Sequence, residues 1–320
     1  MSGVNIRKAA IVGCGFVGSS SAFTLMESGL FSELVLIDVD KERAQGEALD
    51  ISHGLPFAKP TRIYAGDYSD IADASIIIVT AGAGQKPGET RLDLVRKNLN
   101  IFKSIIPQIT EYNTEGILLI VANPVDILTY AAAKISGFPS NRVFGSGTVL
   151  DTARLKYLIG EHLGVDSRNV HACIIGEHGD SEIAAWSSAN VAGVPLNDFC
   201  EMRGYYDHDE SMARLHERVK NSAYEIIEKK KATYYGIARS VRRICEAIVR
   251  DEKSILPVSG VQDGNSGIEG IEGVALSLPA IVGKNGLEYR VQVSLDENEE
   301  KALRESAATL KSVLDAEMGE

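Results

Sequence analysis

Short apolar runs, separated by amphipathic stretches of helical period, set the plan of this chain. Residues 9–12, 34–37 and 117–121 are unbroken apolar runs rich in β-branched side chains, 75–79 is another after its leading serine, and weaker ones stand at 62–64 and 142–144. Between them, 19–28 and 41–53 read as helices. A strand that shows no alternation buries both faces, which indicates a parallel sheet covered by helices on each side. The expected fold is α/β: a Rossmann doubly wound parallel sheet over residues 1–147, then a mixed α+β catalytic domain over 148–320. In that second part the pattern predicts a helix from Val149, a strand over 169–175 and mostly helix over 211–250, with a break near 231–237. Antiparallel strands at 254–261, 273–282 and 288–293 and a closing helix at 296–318 complete it.

The first strand runs straight into Gly13-Cys14-Gly15-Phe16-Val17-Gly18, and the second ends on Asp38, 20 residues after the last glycine. A strand–G-x-G-x-x-G–helix–strand–acid unit is the dinucleotide fingerprint. Gly13 makes the tight turn, Gly15 lets a pyrophosphate approach the backbone, and Gly18 lets the helix pack on the strand. A carboxylate at Asp38 accepts from the ribose hydroxyls and repels a 2′-phosphate, so NAD is expected rather than NADP.

Composition narrows the function class. The 320 residues carry a net charge of −11 and no long basic run, so nucleic acid is not an expected partner. Cys14, Cys173, Cys200 and Cys245 are scattered, with no C-x-x-C pair and no metal-ligand spacing. Widely spaced thiols fit a reducing compartment. The opening eight residues are short and polar and no apolar run reaches membrane length, so a cytoplasmic protein without a membrane partner is expected.

Ligands of such sheets gather at the carboxyl ends of the strands. Two loops lie there: 80–91, whose glycines and proline suit a lid and which ends on Arg91, and 122–126, which carries Asn123. Further on, Asp151 and Arg154 are three apart on one helix face. That pairing suits either a plain ion pair or an acid that orients a histidine beside a guanidinium that grips a carboxylate. Gly176-Glu177-His178-Gly179-Asp180 follows an apolar run and offers the histidine. Tyr130 and Lys134 match the Y-x-x-x-K pair of short-chain dehydrogenases, but the preceding strand has no serine, and an exposed i, i+4 pair is the better expectation.

Taken together and in order, Gly13–Gly18, 85–91, 122–126, 150–154, 176–180 and 232–236 make the chain resemble the L-lactate dehydrogenases of the lactate/malate dehydrogenase family over nearly its whole length. The resemblance implies that His178 passes a proton to the keto oxygen of pyruvate while NADH delivers hydride. Asp151 would fix the imidazole tautomer, Arg154 would anchor the carboxylate, and Arg91 would polarise the carbonyl. Asn123 would bond near the keto oxygen, and Thr233 would line the pocket. It likewise assigns cofactor contacts to Gly13, Gly15, Phe16, Val17, Gly18, Asp38, Arg43, Gly82, Ala83, Asn98, Val121, Asn123 and Ile237.

Gln85 stands where the malate enzymes of this family carry an arginine. A neutral side chain leaves a second substrate carboxylate without a cation, which favours pyruvate over oxaloacetate, with Lys86 next door as the complication. Malate or broader 2-hydroxy-acid oxidation is the alternative, and a non-enzymatic NAD sensor is the reading from another class. The resemblance also implies a homotetramer. His171 and Lys156 stand where relatives activated by fructose 1,6-bisphosphate carry a histidine and an arginine. A lysine lacks the bidentate fork, so weak or absent activation is expected.

Overall fold

The computed structural model describes residues 3–84, 88–264 and 267–319, with the side chain of Arg91 outside that description. Its first half alternates β1 (Asn5–Val12), α1 (Phe16–Ser28), β2 (Glu33–Ile37), α2 (Lys41–Ser52), β3 (Arg62–Ala65) and β4 (Ala74–Val79). It continues through α3 (Arg91–Tyr112), β5 (Ile117–Ile120), α4 (Val125–Ser136) and β6 (Val143–Gly145). These strands pair in parallel in the order β3-β2-β1-β4-β5-β6, the doubly wound arrangement.

Successive strand residues serve opposite faces. Val12, Val35, Ile77, Val79, Leu118 and Ile120 pack with α3 and α4, whereas Ile11, Leu34, Leu36, Ile76, Ile78 and Leu119 pack with α1 and α2. Every residue of β4 is buried, so its three isoleucines each contribute roughly 1.5–3 kcal/mol of burial, and neither face could be turned to solvent without losing them.

The second half runs α5 (Val149–Leu163), β7 (Val170–His171), β8 (Ile174–Ile175), β9 (Ile183–Ala184), β10 (Asn190–Val191), β11 (Val194–Pro195) and α6 (Leu196–Met202). The long helix α7 (His208–Lys230), α8 (Tyr235–Val249), β12 (Ser254–Val261), β13 (Ala275–Gly283), β14 (Gly286–Arg290) and α9 (Glu297–Met318) follow. The antiparallel strands do not form a sheet of their own. Ser259 of β12 pairs with Gly145 of β6, so β12, β13 and β14 extend the dinucleotide-binding sheet. Helix α8 then covers the face that holds α1 and α2, and α9 the face that holds α3 and α4.

Two expectations are corrected. The run 169–175 is not one strand: Val170 pairs with β10, Ile174 pairs with β9, and Ala172-Cys173 breaks between them. Tyr130 is 3% exposed and belongs to the core, not to an exposed pair. Only Lys134 reaches the surface, its ammonium 5.2 Å from the centre of the Tyr130 ring.

Candidate active site

The glycine turn after β1 is built for close approach. Gly13 has φ +103°, and a Cβ there would sit 2.5 Å from the Ala81 nitrogen; a Cβ on Gly18 would lie 1.8 Å from the Gly13 oxygen. Thr80 Oγ1 donates to that same oxygen at 2.6 Å. A Cβ on Gly15, by contrast, would meet nothing within 4 Å among the described residues, and none of their side chains caps the N-terminus of α1. Open space before uncapped helix N–H groups is what a pyrophosphate requires, so these residues fit a dinucleotide. Asp38 closes the turn, accepting from the Cys14 N–H at 2.6 Å and from the Asp40 N–H at 2.9 Å.

Asn98, buried on α3, ties together the loops after β4 and β5. Its side chain accepts from the Ala83 N–H at 2.7 Å and donates to the Asn123 carbonyl at 2.7 Å. Gly82 packs between Ala122 and Asn98, Val121 is buried at the end of β5, and Val17 and Ile237 lie against the core on the α1 side. Arg43 is exposed on α2.

The second cluster is assembled from three elements. Asp151 lies in the first turn of α5, where an acid is favoured by the helix dipole. One of its oxygens accepts from Arg154 Nη1 at 2.8 Å, and the other meets His178 Nδ1 at 2.6 Å. His178 reaches it from the turn between β8 and β9. That turn begins at Gly176, with φ +87° and exchanging two 2.9 Å backbone hydrogen bonds with Ser277. Asp126, in the first turn of α4, accepts the His178 N–H at 2.7 Å and the Ser259 hydroxyl at 2.5 Å. A cavity of about 240 Å³ opens in front, lined among others by Asn123, Asp151, Arg154, His178, Glu182 and Lys220.

Charge follows from this packing. Burial opposes a proton on His178, but the Asp151 carboxylate outweighs it, aided by Asp126 and Glu182, and the pKa is pushed up to about 9. Burial works against ionised Asp151 too, yet His178 and Arg154 hold its pKa below the ordinary value. Burial raises Asp126 to about 6 against its hydrogen bonds. Asp151, His178 and Glu182 bring ligand-type atoms within 4.8 Å of one another, but Arg154 and Lys220 share that cavity and oppose a metal cation.

Asn123, Asp151, Arg154 and His178 are thus brought together. Thr233, partly buried between α7 and α8, is not among the cavity's described lining residues. Gln85, Lys86 and the Arg91 side chain lie outside the described residues. Lys156 is partly buried on α5, its charge disfavoured by burial, and His171 is exposed on β7, a strand against which α5 packs. Sequence reading passed over Asp126, Ser259 and Glu182. An acid in an otherwise apolar helix turn was the available signal for Asp126; nothing local marked the other two.

A dinucleotide turn beside a carboxylate-oriented histidine and an arginine defines a site of the NAD-linked dehydrogenase class. The comparisons agree. Residues 7–145 match the family model for the lactate/malate dehydrogenase NAD binding domain, and residues 148–319 match that for the lactate/malate dehydrogenase alpha/beta C-terminal domain. The chain belongs to the lactate/malate dehydrogenase family. It is 55% identical to an L-lactate dehydrogenase of Acetivibrio thermocellus over 97% of this chain and 96% of that one. It is 53% identical to an L-lactate dehydrogenase of Thermoanaerobacterium saccharolyticum over 97% and 98%. Among solved structures, the minor L-lactate dehydrogenase of Enterococcus mundtii superposes with a TM-score of 0.93 at 44% identity, covering 97% of this chain and 98% of that one.

Proposed function

We propose that the chain is an NAD-dependent L-lactate dehydrogenase that interconverts pyruvate and (S)-lactate. The observation that carries this reading is the Asp151 carboxylate bonded at once to His178 and Arg154. With Nδ1 committed to Asp151, the imidazolium offers Nε2 as the proton donor to a keto oxygen. Arg154 has further N–H donors for one substrate carboxylate. Asn123 shares the cavity and supplies an amide near that oxygen, and Arg91, at the start of α3, is the group assigned to polarise it. Bound NADH supplies the hydride to the carbonyl carbon. Gly13, Gly15 and Gly18 cradle its pyrophosphate, and Asp38 selects the unphosphorylated ribose. A neutral Gln85 leaves a second carboxylate unpaired, which favours pyruvate.

NADH oxidation with pyruvate and with oxaloacetate tests the assignment; equal efficiency on the two acids would overturn it. His178→Asn is expected to lower kcat by on the order of 10³-fold or more while NADH still quenches or gains fluorescence on binding. Arg154→Lys should raise KM for pyruvate roughly 10- to 100-fold by losing the bidentate grip.

The same reading takes the enzyme as a cytoplasmic homotetramer. The four unpaired cysteines support a reducing compartment, and no described helix is long and apolar enough to cross a membrane. Fructose 1,6-bisphosphate is a weak effector at most, since Lys156 beside the strand of His171 offers a point charge and not a fork. A large fall in the pyruvate half-saturation value on adding that sugar phosphate would refute this.

A further inference from the structure

Glu182 is a buried acid in the substrate cavity for which the reaction above has no use. Its side chain is only 3% exposed, it lines the cavity with Asp151, Arg154 and His178, and it lies within 4.8 Å of the Asp151 and His178 ligand-type atoms. Among the described residues its Oε1 has no hydrogen-bond partner, and the same holds for His216 Nε2, the atom it faces at 3.7 Å from α7. An ionised carboxylate buried beside a second carboxylate, with an oxygen left unbonded, is a costly arrangement. A neutral carboxyl, whose O–H can turn toward the neighbouring imidazole, is not.

We propose that Glu182 is a substrate-pocket residue that must carry a proton for an anionic 2-keto acid to bind, so that substrate binding draws in two protons, one on His178 and one on Glu182. The proposal rests on the lactate dehydrogenase reading.

The surroundings of Glu182 set the sign. From α5 it faces Asp151 and Arg154, and His178 and Asp180 of its own turn line the same cavity, while Asp126 of α4 acts on His178 from behind it. From α7 it faces Lys220 and His216, with Glu217 adjoining the latter. Burial first and Asp151 second push Glu182 up to about 8, against the cations His178, Lys220 and Arg154. Burial and Lys220 hold His216 down at about 4, so this imidazole is neutral and offers no positive charge to keep Glu182 ionised. Once Glu182 ionises, the substrate's carboxylate must join Arg154 in a pocket that already holds two carboxylates. Affinity for the anion then falls with rising pH twice over, through loss of the His178 proton and of the Glu182 proton.

The test is proton uptake on adding oxamate, an unreactive isostere of pyruvate, to the NADH-bound enzyme in weak buffer with an indicator dye. At a pH above the range in which both groups titrate, the wild-type enzyme should take up more than one proton per site, approaching two. Glu182→Gln should take up no more than one, and log(kcat/KM) for pyruvate should fall with a limiting slope of −1 in place of −2. Uptake by the wild-type enzyme that stops at one proton overturns the proposal without any variant, and so does uptake in Glu182→Gln equal to wild type. Absence of pyruvate turnover and oxamate binding in the wild-type enzyme would instead defeat the functional assignment.

Discussion

Asp126 touches neither solvent nor the substrate cavity, yet it holds the main chain of the histidine assigned as proton donor. Its two oxygens are taken by the His178 N–H and the Ser259 hydroxyl, and its charge adds to the forces that keep His178 protonated. Removing that charge with Asp126→Asn leaves an oxygen acceptor in place but lowers the His178 pKa. Because a raised imidazole pKa means the proton is present through neutrality and lost as pH climbs through about 9, the variant should lose pyruvate-reducing activity at a lower pH than wild type. The pH profile of kcat/KM reads this directly, and an unmoved alkaline limb would show that Asp126 is merely structural. The same linkage makes the His178–Asp151 pair a source of stability that is complete below the ordinary imidazole range and is lost as pH rises through about 9. At this scale the sequence was informative where a residue type has few other uses. His178 after an apolar run, and Asp151 three before Arg154, could be picked out as candidates from spacing, but their roles came only with the family resemblance. Glu182 could not, because a glutamate in a polar-looking turn is ordinary until its burial is known.

Among the elements, β1 and α1 with the turn between them show how narrow the allowance is. Gly18 packs directly on the Gly13 carbonyl, so Gly18→Ala must push the helix away from the strand. That displacement should cost about 1–3 kcal/mol and weaken NADH binding more than it lowers the melting temperature through packing alone. Isothermal titration of NADH beside a thermal melt separates the two; unchanged affinity would mean the turn can relax. Strands β1, β2, β4 and β5 were legible because their apolar runs are unalternating, β3 and β6 left only short, weaker runs, and α9 was legible from its amphipathic period. The pairs β7 to β11 were not, since two-residue strands carry no period and their pairing is fixed by contacts distant in sequence. Tyr130 was misplaced for a related reason. A helix wedged between the sheet and α9 buries more of its circumference than an i, i+4 match reveals.

Over the whole molecule, the main sheet runs through the expected boundary near residue 147, so the two parts share it. Its order, β14-β13-β12-β6-β5-β4-β1-β2-β3, places strands from both halves side by side, and α8 and α1 share one core. A fragment ending at residue 147 would bare the edge of β6 and the apolar faces that α8 and α9 cover. It should therefore aggregate or lack a cooperative melt, whereas the full chain should unfold in one transition by both far-ultraviolet and near-ultraviolet circular dichroism. A soluble fragment with its own sharp melt would show the halves to be independent. The contact between Asp126 and Ser259 bears on how such an enzyme can be recombined. His178 is aimed by an acid from one half that is itself held by a hydroxyl on β12 of the other. Chimaeras that join the first 147 residues of one relative to the remainder of another are thus expected to inherit cofactor binding from one parent but to turn over well only when residues 126, 178 and 259 come from compatible parents.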